Sequence, residues 1–129
     1  MKVFVICSVR GTSPEYKKKL EDYAKSLEDK GIKVYLPHRD TNQELSGYEI
    51  CKQNTKAIAQ SNEVHVFYNP ESQGTHFDMG VAFAYGRKIV VVENVEYGEG
   101  KSYPRMLDEW ANIFKEGYTD NSGYPGTQL

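Results

Sequence analysis

The amino-acid sequence predicts an α/β domain in which a parallel sheet of four to five strands carries helices on both faces. Two observations predict this fold: four short runs are rich in β-branched residues, and the segments between them place apolar residues at helical spacing. Strands that alternate with helices form a parallel sheet, because right-handed crossovers return the chain to the same edge each time. The predicted architecture is therefore doubly wound, of the flavodoxin-like or Rossmann-like kind.

The predicted strands cover residues 3–6, 32–36, 64–68 and 89–92. In sheets of this kind, ligands bind beyond the carboxyl ends of the strands. Function is therefore expected in the loops that follow Cys7, Leu36, Tyr68 and Val92. One core suffices for a chain of 129 residues, so residues 1–118 are predicted to form a single domain and residues 119–129 a polar tail.

The first two predicted helices begin at serine caps. Ser13 caps the first helix, Pro14 lies in its first turn, and Gly31 ends it. Ser46 opens the second helix, whose apolar stripe is thinner. Both helices lie between strands, as a doubly wound sheet requires.

The third predicted helix opens at Thr75 and ends at Gly86, and the fourth begins within residues 102–104. Their buried faces are predicted from apolar residues at helical spacing. These residues are Met79, Ala82 and Phe83 in the third helix, and Met106, Leu107, Trp110, Ala111 and Phe114 in the fourth.

Composition excludes several classes of partner. The chain has 16 Lys and Arg against 18 Asp and Glu, so it lacks the concentrated basic surface that duplex nucleic acid requires. No apolar run approaches the roughly twenty residues that cross a bilayer, and the short N-terminal run is interpreted as a strand in a cytoplasmic protein.

Neither Cys7 nor Cys51 fits a disulfide or zinc pattern, and Cys7 is interpreted as a small buried hydrophobe.

The loop after the first strand contains the parts of a phosphate site. Ser8 offers a hydroxyl, Arg10 can hold two phosphate oxygens, and Gly11 allows a ligand to approach the backbone near a helix N-terminus. The loop matches neither a Walker motif nor a dinucleotide fingerprint, and no cofactor is predicted. An ordinary capped turn, with Ser13 as the cap, fits the same pattern equally well.

Asp78 is the carboxylate best placed to face a ligand, since it lies one turn into a helix that begins at the ligand edge of the sheet. A structural role competes with this interpretation, because Thr75 and Asp78 have the spacing of a capping box, and the pattern by itself favours the cap. Gly80, a poor helix former, indicates a close approach to the backbone there.

The histidines do not predict a metal site, because no two of them have the i, i+4 spacing of a helical one. His65 lies within a predicted strand and is interpreted as structural. His38 and His76 lie in or beside the loops at the ligand edge, where either contact with a ligand or plain solvation fits.

Two segments resemble the nucleoside 2-deoxyribosyltransferase family, and within it the branch of 2'-deoxynucleoside 5'-monophosphate N-glycosidases. The more specific is Ser72-x-Gly74-x-x-x-Asp78-x-Gly80-x-Ala82, which is similar to the segment that carries the family's catalytic carboxylate. The other, residues 8–11, resembles the loop that holds the 5'-phosphate in the monophosphate branch. The likeness runs from Lys2 to about Leu107.

The resemblance implies hydrolysis of the N-glycosidic bond of (2'-deoxy)nucleoside 5'-monophosphates, with Asp78 as the nucleophile. The small-molecule nucleotide would be held by its phosphate, through a homodimer in which Ser102 acts from the neighbouring subunit. The implied phosphate ligands are Ser8, Arg10, Gly11, Ser72, Gly74 and Ser102. Contacts to the base or sugar are implied for His38, Asp40 or His76, without a ranking among the three.

Four positions depart from the family pattern. The family nucleophile is normally glutamate, where this chain has Asp78; a tyrosine of the first strand is matched by Phe4; and two aspartates are matched by Asn54 and Asn62. These departures keep two alternatives open: binding of a nucleotide without turnover, and a rebuilt pocket for a different nucleotide. Transfer of deoxyribose between bases is a third alternative, against which Ser72 and Arg10 argue. A flavin-binding electron carrier is disfavoured, because the phosphate loop is not rich in Ser and Thr.

Overall fold

The computed structural model describes residues 1–115, so the predicted tail at 119–129 lies outside the described residues. Nine helices and strands occur within this part of the chain. In chain order they are β1 (Lys2–Ile6), α1 (Pro14–Glu28), β2 (Lys33–Tyr35), α2 (Pro37–Asp40), α3 (Gly47–Ala59), β3 (Glu63–Phe67), α4 (Gln73–Ala84), β4 (Lys88–Glu93) and α5 (Tyr103–Lys115).

The four strands form one parallel sheet in the order β2-β1-β3-β4, which confirms the predicted α/β fold. The chain leaves β1 toward one side to form β2 and then crosses to the other side to form β3. The order therefore reverses between β1 and β3. Loops that leave two strands in opposite directions open a crevice at their carboxyl ends, and ligands bind in such crevices.

Helices cover both faces of the sheet, as predicted. The larger apolar cluster joins one face to α3, α4 and α5, and includes Phe4, Ile58, Met79 and Trp110. A smaller cluster joins the opposite face to α1 through Leu20 and Ala24, and also contains Cys7. Cys7 is 4% exposed, so its interpretation as a buried hydrophobe is confirmed.

Serine caps place the helices. The Ser13 Oγ accepts a hydrogen bond from the Tyr16 amide at 3.1 Å, and the Ser46 Oγ accepts one from the Glu49 amide at 3.2 Å, so both predicted starts are confirmed. Gly31, with a φ of +84°, follows the end of α1, as predicted.

Two local predictions are wrong. Helix α4 begins at Gln73 rather than at Thr75, because the Ser72 side chain caps it. Phe83, which was assigned to the buried face of that helix, is 44% exposed. The single-turn helix α2 was not predicted, since four residues are too few to show a helical period.

Within residues 1–115, none of the helices combines the length and apolar character needed to cross a membrane.

Candidate active site

A cavity of about 530 Å³ opens at the carboxyl ends of β1 and β3, in the crevice where the strand order reverses. The loop after β1 contributes Ser8 and Arg10 to its lining, and the start of α4 contributes Ser72, Gly74 and Asp78. The cavity therefore brings together four of the six predicted phosphate ligands and the predicted nucleophile.

Asp78 is buried in this cavity and free of the capping role. Its side chain is 5% exposed, and burial raises its pKa from 3.8 to about 7. The Thr75 amide, which a capping box would pair with Asp78, is instead bound by the Ser72 Oγ at 3.2 Å. The capping-box interpretation is therefore wrong. The Asp78 carboxyl makes no hydrogen bond to another of residues 1–115 and is available to a ligand.

The two hydroxyls of the cavity can each donate a hydrogen bond to an anion. The Ser8 Oγ accepts a hydrogen bond from the Asn69 side-chain amide at 3.0 Å, and the Ser72 Oγ accepts one from the Thr75 amide. A serine hydroxyl has one proton and two lone pairs. Because both oxygens already act as acceptors, their protons are left to donate; the proton of Ser72 can point toward a ligand, and that of Ser8 toward a ligand or the Tyr16 hydroxyl.

The first turn of α4 adds backbone donors. Its Gln73 and Gly74 amides have no hydrogen-bond partner among the described residues, as is normal for the first turn of a helix. A Cβ at Gly74 would meet open space, so the backbone is accessible at this point. The free amides and the dipole of α4 favour an anion at this end of the cavity.

Arg10 provides a mobile positive charge. Its side chain is exposed and forms no ion pair within residues 1–115, so its guanidinium donors are available. Glu71 also lines the cavity, and its exposed carboxylate stays in contact with solvent. Gly11, which follows Arg10, does not line the cavity, but its φ of +68° lets the loop turn there.

His38, Asp40 and His76 do not line the cavity. The His38 Nε2 lies 3.1 Å from a carboxylate oxygen of Glu21, and the Asp40 carboxylate accepts the Leu36 amide at 2.9 Å. In this single chain their predicted contacts with a base or sugar stay predictions.

His76 lies outside the cavity and makes hydrogen bonds to residues beside it. Its Nδ1 donates to the Ser72 carbonyl at 2.7 Å, and its Nε2 lies 2.9 Å from the Tyr68 hydroxyl. The ring also packs edge-on against Tyr103. This histidine therefore holds the backbone of Ser72, which lines the cavity.

Ser102 lies away from the cavity in the same chain. Its Oγ accepts the Arg105 amide at 3.3 Å and so caps α5. A contribution to a neighbouring subunit's phosphate site stays a prediction.

The four departures from the family pattern separate into two groups. Asp78 and Asn54 both line the cavity. Phe4 is fully buried in the core, where its ring stacks on Tyr35 at 5.3 Å between centroids, and Asn62 accepts the Lys2 amide at 2.8 Å near the start of the sheet. Only the first two can touch a ligand in this cavity.

A hydrogen-bond chain orients Asn54. The Thr41 Oγ1 donates to the Asn54 Oδ1 at 2.8 Å and lies 2.6 Å from the Tyr35 hydroxyl. Because the Thr41 hydroxyl donates its only proton to Asn54, the Tyr35 hydroxyl must donate to Thr41. The Asn54 NH₂ group is left to donate into the cavity. Sequence reasoning missed this chain, since Thr41 and Tyr35 belong to no motif.

A family model described as nucleoside 2-deoxyribosyltransferase matches residues 6–116. The chain belongs to this family. The match includes Ser8, Arg10, Ser72 and Asp78, and it confirms both the resemblance stated above and the enzyme class that it implies. A comparison with curated proteins gives no match.

Solved structures agree with this assignment. The CMP N-glycosidase BcmB of Clostridium botulinum is 29% identical, with a TM-score of 0.64 over 87% of this chain and 84% of that one. A 2-deoxyribosyltransferase of the psychrotolerant bacterium Bacillus psychrosaccharolyticus shares the fold, with a TM-score of 0.65 at 16% identity over 97% of this chain and 96% of that one. The family match and the 29% identical glycosidase together support glycosyl transfer or hydrolysis as the activity.

Proposed function

We propose that this protein hydrolyses the N-glycosidic bond of (2'-deoxy)nucleoside 5'-monophosphates and that Asp78 is the nucleophile. The observation that supports it most is the single cavity that joins a buried carboxylate to two donating hydroxyls, free helix amides and Arg10. The similar CMP N-glycosidase is named for such a bond in a nucleoside monophosphate.

The reaction has two displacements at the anomeric carbon C1'. In the first, an Asp78 carboxylate oxygen bonds to C1' while the bond from C1' to the base nitrogen breaks, and the departing base takes up a proton. In the second, water attacks C1', the ester to Asp78 breaks, and the water gives up a proton. The products are the free base and the sugar 5-phosphate, and the carboxylate is regenerated.

The phosphate positions the sugar for this attack. The Ser8 and Ser72 hydroxyls, the Gly74 amide and the Arg10 guanidinium supply donors from two loops, and charge-assisted bonds contribute roughly 1.5 to 3 kcal/mol each. Aspartate is shorter than glutamate by one methylene, roughly 1.5 Å, and a displacement of about 1 Å can cost a hundredfold in rate. The contacts to the phosphate must therefore hold the sugar closer to α4 than they would need to if the nucleophile were a glutamate.

Burial affects Asp78 in two ways. With a pKa of about 7, a large part of the carboxyl is protonated at neutral pH and cannot attack. The ionised fraction is poorly solvated and therefore more reactive as a nucleophile. Base release should thus increase as the pH rises through 7.

The direct test is a substrate screen. Each deoxyribonucleoside and ribonucleoside 5'-monophosphate is incubated with the protein, and free base is measured by chromatography, with the Asp78→Asn variant as the control. Base release by the parent protein and not by the variant is expected. If the parent releases base from none of these nucleotides, hydrolysis is rejected.

Two observations favour a second candidate, nucleotide binding without turnover. Asp78 is short and, with a pKa of about 7, only about half ionised at neutral pH, and the cavity presents an amide at Asn54 where the family has a carboxylate. Calorimetry with the same nucleotides separates the candidates, because a binding protein retains affinity while releasing no base. Adding a second free base to the assay tests for transfer, which would yield a new nucleoside 5'-monophosphate.

Ser102 would complete the phosphate site only in a symmetric dimer, each subunit serving its partner. Light scattering should then give about twice the mass of one chain. A monomer at micromolar concentration would remove Ser102 from the site and leave the rest of the proposal intact.

A further inference from the structure

A second cavity, of about 450 Å³, lies at the opposite edge of the sheet, where β1 and β2 begin. The two strands form its floor with Lys2, Lys33 and Tyr35, and the end of α3 forms its wall. No residue lines both this cavity and the candidate active site. We call it the lysine cavity, after the three lysines that line it, which are Lys2, Lys33 and Lys56.

The lysines are held close together by the sheet. Lys2 and Lys33 are direct partners in the parallel pairing of β1 and β2, so their side chains leave the same face. That face is the one covered by α3, because the next pair on it, Phe4 and Tyr35, belongs to the cluster that includes α3. Lys56 faces the pair from α3. Like charges on directly paired strand positions destabilise a sheet.

Nothing among the described residues neutralises these charges. No Asp or Glu lines the lysine cavity, and none of its three ammonium groups forms an ion pair or a hydrogen bond within residues 1–115. Three other lysines are paired, Lys18 with Asp22, Lys19 with Glu93 and Lys25 with Asp29, whereas the exposed Lys17 and Lys30 form no ion pair within residues 1–115. The three lysines are clustered in a chain whose net charge is −2, because its carboxylates outnumber its cations.

The remaining lining suits a small polar ligand. Gln53 and Gln60 present side-chain amides, and Tyr35 and Ala57 present apolar surface. The Tyr35 ring is fixed, because it stacks on Phe4 and its hydroxyl is bonded to Thr41. A volume of about 450 Å³ lies within the range of small-molecule sites.

We propose that the lysine cavity is a second binding site, for a small phosphate compound that carries several negative charges, such as an organic di- or triphosphate. Ammonium groups bind phosphate as point charges. Three positive charges are more than one carboxylate can neutralise, so they favour a ligand that carries several negative charges. A concave site of this size encloses a compact anion, whereas a macromolecular polyanion needs an extended basic surface.

The test measures binding of inorganic tripolyphosphate to the full chain by calorimetry, at low and at moderate salt. Lys33→Gln/Lys56→Gln should weaken binding at least tenfold, and affinity should fall with added salt because the ammonium groups reach solvent. The matched control is Lys17→Gln/Lys30→Gln, which removes two exposed, unpaired positive charges outside the cavity. This control should stay within twofold of the parent.

Two further measurements locate the bound anion. Arg10→Ala should leave unchanged the tripolyphosphate binding that is lost in Lys33→Gln/Lys56→Gln, since Arg10 lines the other cavity. Tripolyphosphate should also slow chemical acetylation of Lys2, Lys33 and Lys56, read by mass spectrometry, without slowing that of Lys17. Neither readout requires turnover, so failure of this proposal and failure of the hydrolase proposal are separate results.

Four outcomes would overturn the proposal. One is an absence of tripolyphosphate binding up to millimolar concentration. Another is an equal loss in the Lys17→Gln/Lys30→Gln control, which would mean unspecific attraction. A loss in Arg10→Ala alone would place the anion in the candidate active site. Tighter binding of a single-stranded RNA oligonucleotide, through the same lysines, would make the surface a nucleic-acid contact instead.

Discussion

The two cavities lie at opposite edges of one sheet and differ in how their charges are placed. At the carboxyl edge, Asp78 is buried and faces a set of hydrogen-bond donors. At the amino edge, Lys2, Lys33 and Lys56 are exposed, and no carboxylate among residues 1–115 lines the cavity. A buried charge is governed by desolvation, which shifts its pKa, and an exposed charge by solvent screening. The first cavity should therefore respond to pH and the second to salt.

The largest expected effect tests whether the buried carboxylate performs chemistry. Asp78→Asn keeps the shape of the side chain and removes the nucleophile, so base release should fall roughly a thousandfold or more while nucleotide affinity remains. Asp78→Glu is the matched variant, since it restores the length usual in the family. A faster Glu variant would show that the aspartate impairs an intact site, and a slower one that the cavity was rebuilt around it. Full activity in Asp78→Asn would refute the nucleophile assignment.

The same carboxylate should also limit stability. Below pH 3.8, Asp78 is protonated in both folded and unfolded chains and has no effect on the free energy of unfolding. Between 3.8 and about 7 the unfolded chain ionises first, so the free energy of unfolding decreases as the pH rises. Roughly three pKa units correspond to a loss of up to about 4 kcal/mol.

Urea denaturation at pH 4 and pH 8 measures this effect. Asp78→Asn should be more stable than the parent at pH 8, and the gain should shrink toward pH 4. Asp22→Asn is the control, because that exposed carboxylate pairs with Lys18 on the surface of α1, and exposed pairs contribute little. A stability gain in Asp78→Asn that is the same at both pH values would contradict the raised pKa.

The third prediction sharpens the contrast in phosphate binding. Arg10→Ala should weaken binding of a nucleoside monophosphate at least tenfold and leave the free nucleoside nearly unaffected, since only the monophosphate carries the anion. Lys33→Gln is the control from the other edge and should change neither affinity. If calorimetry finds equal affinity for the nucleoside and the monophosphate in the parent protein, the assignment of a phosphate site is refuted.

The smallest expected effect concerns the wall of the first cavity. Thr41→Val keeps the shape of a 4% exposed side chain but removes the hydroxyl between Tyr35 and Asn54. Leaving buried polar groups without partners costs about 1 to 3 kcal/mol of stability. Nucleotide affinity should fall a few-fold through the loosened Asn54, and Tyr35→Phe should show less of both effects. An unchanged affinity in both variants would mean that Asn54 is positioned without this chain.

Short-range signals were sufficient for most of the fold. Ser13 and Ser46 cap helices where the sequence predicts, because a cap depends on residues only three positions apart. The error at Thr75 and Asp78 arose within the same range, since Ser72 competes for the same amide and its own spacing also fits a cap. Sequence pattern could not decide whether Ser72 or Asp78 accepts the hydrogen bond of the Thr75 amide.

The sequence by itself determined the alternation of strands and helices, the loops that carry Ser8, Arg10 and Asp78, and the family. These depend on local periodicity and on a motif within one segment. Only the tertiary structure decided that Asp78 is buried with a pKa near 7, that Thr41 orients Asn54, and that Lys2 lies beside Lys33. Each of these results from contact between residues distant in sequence, which strand register and helix packing create and which no local pattern encodes.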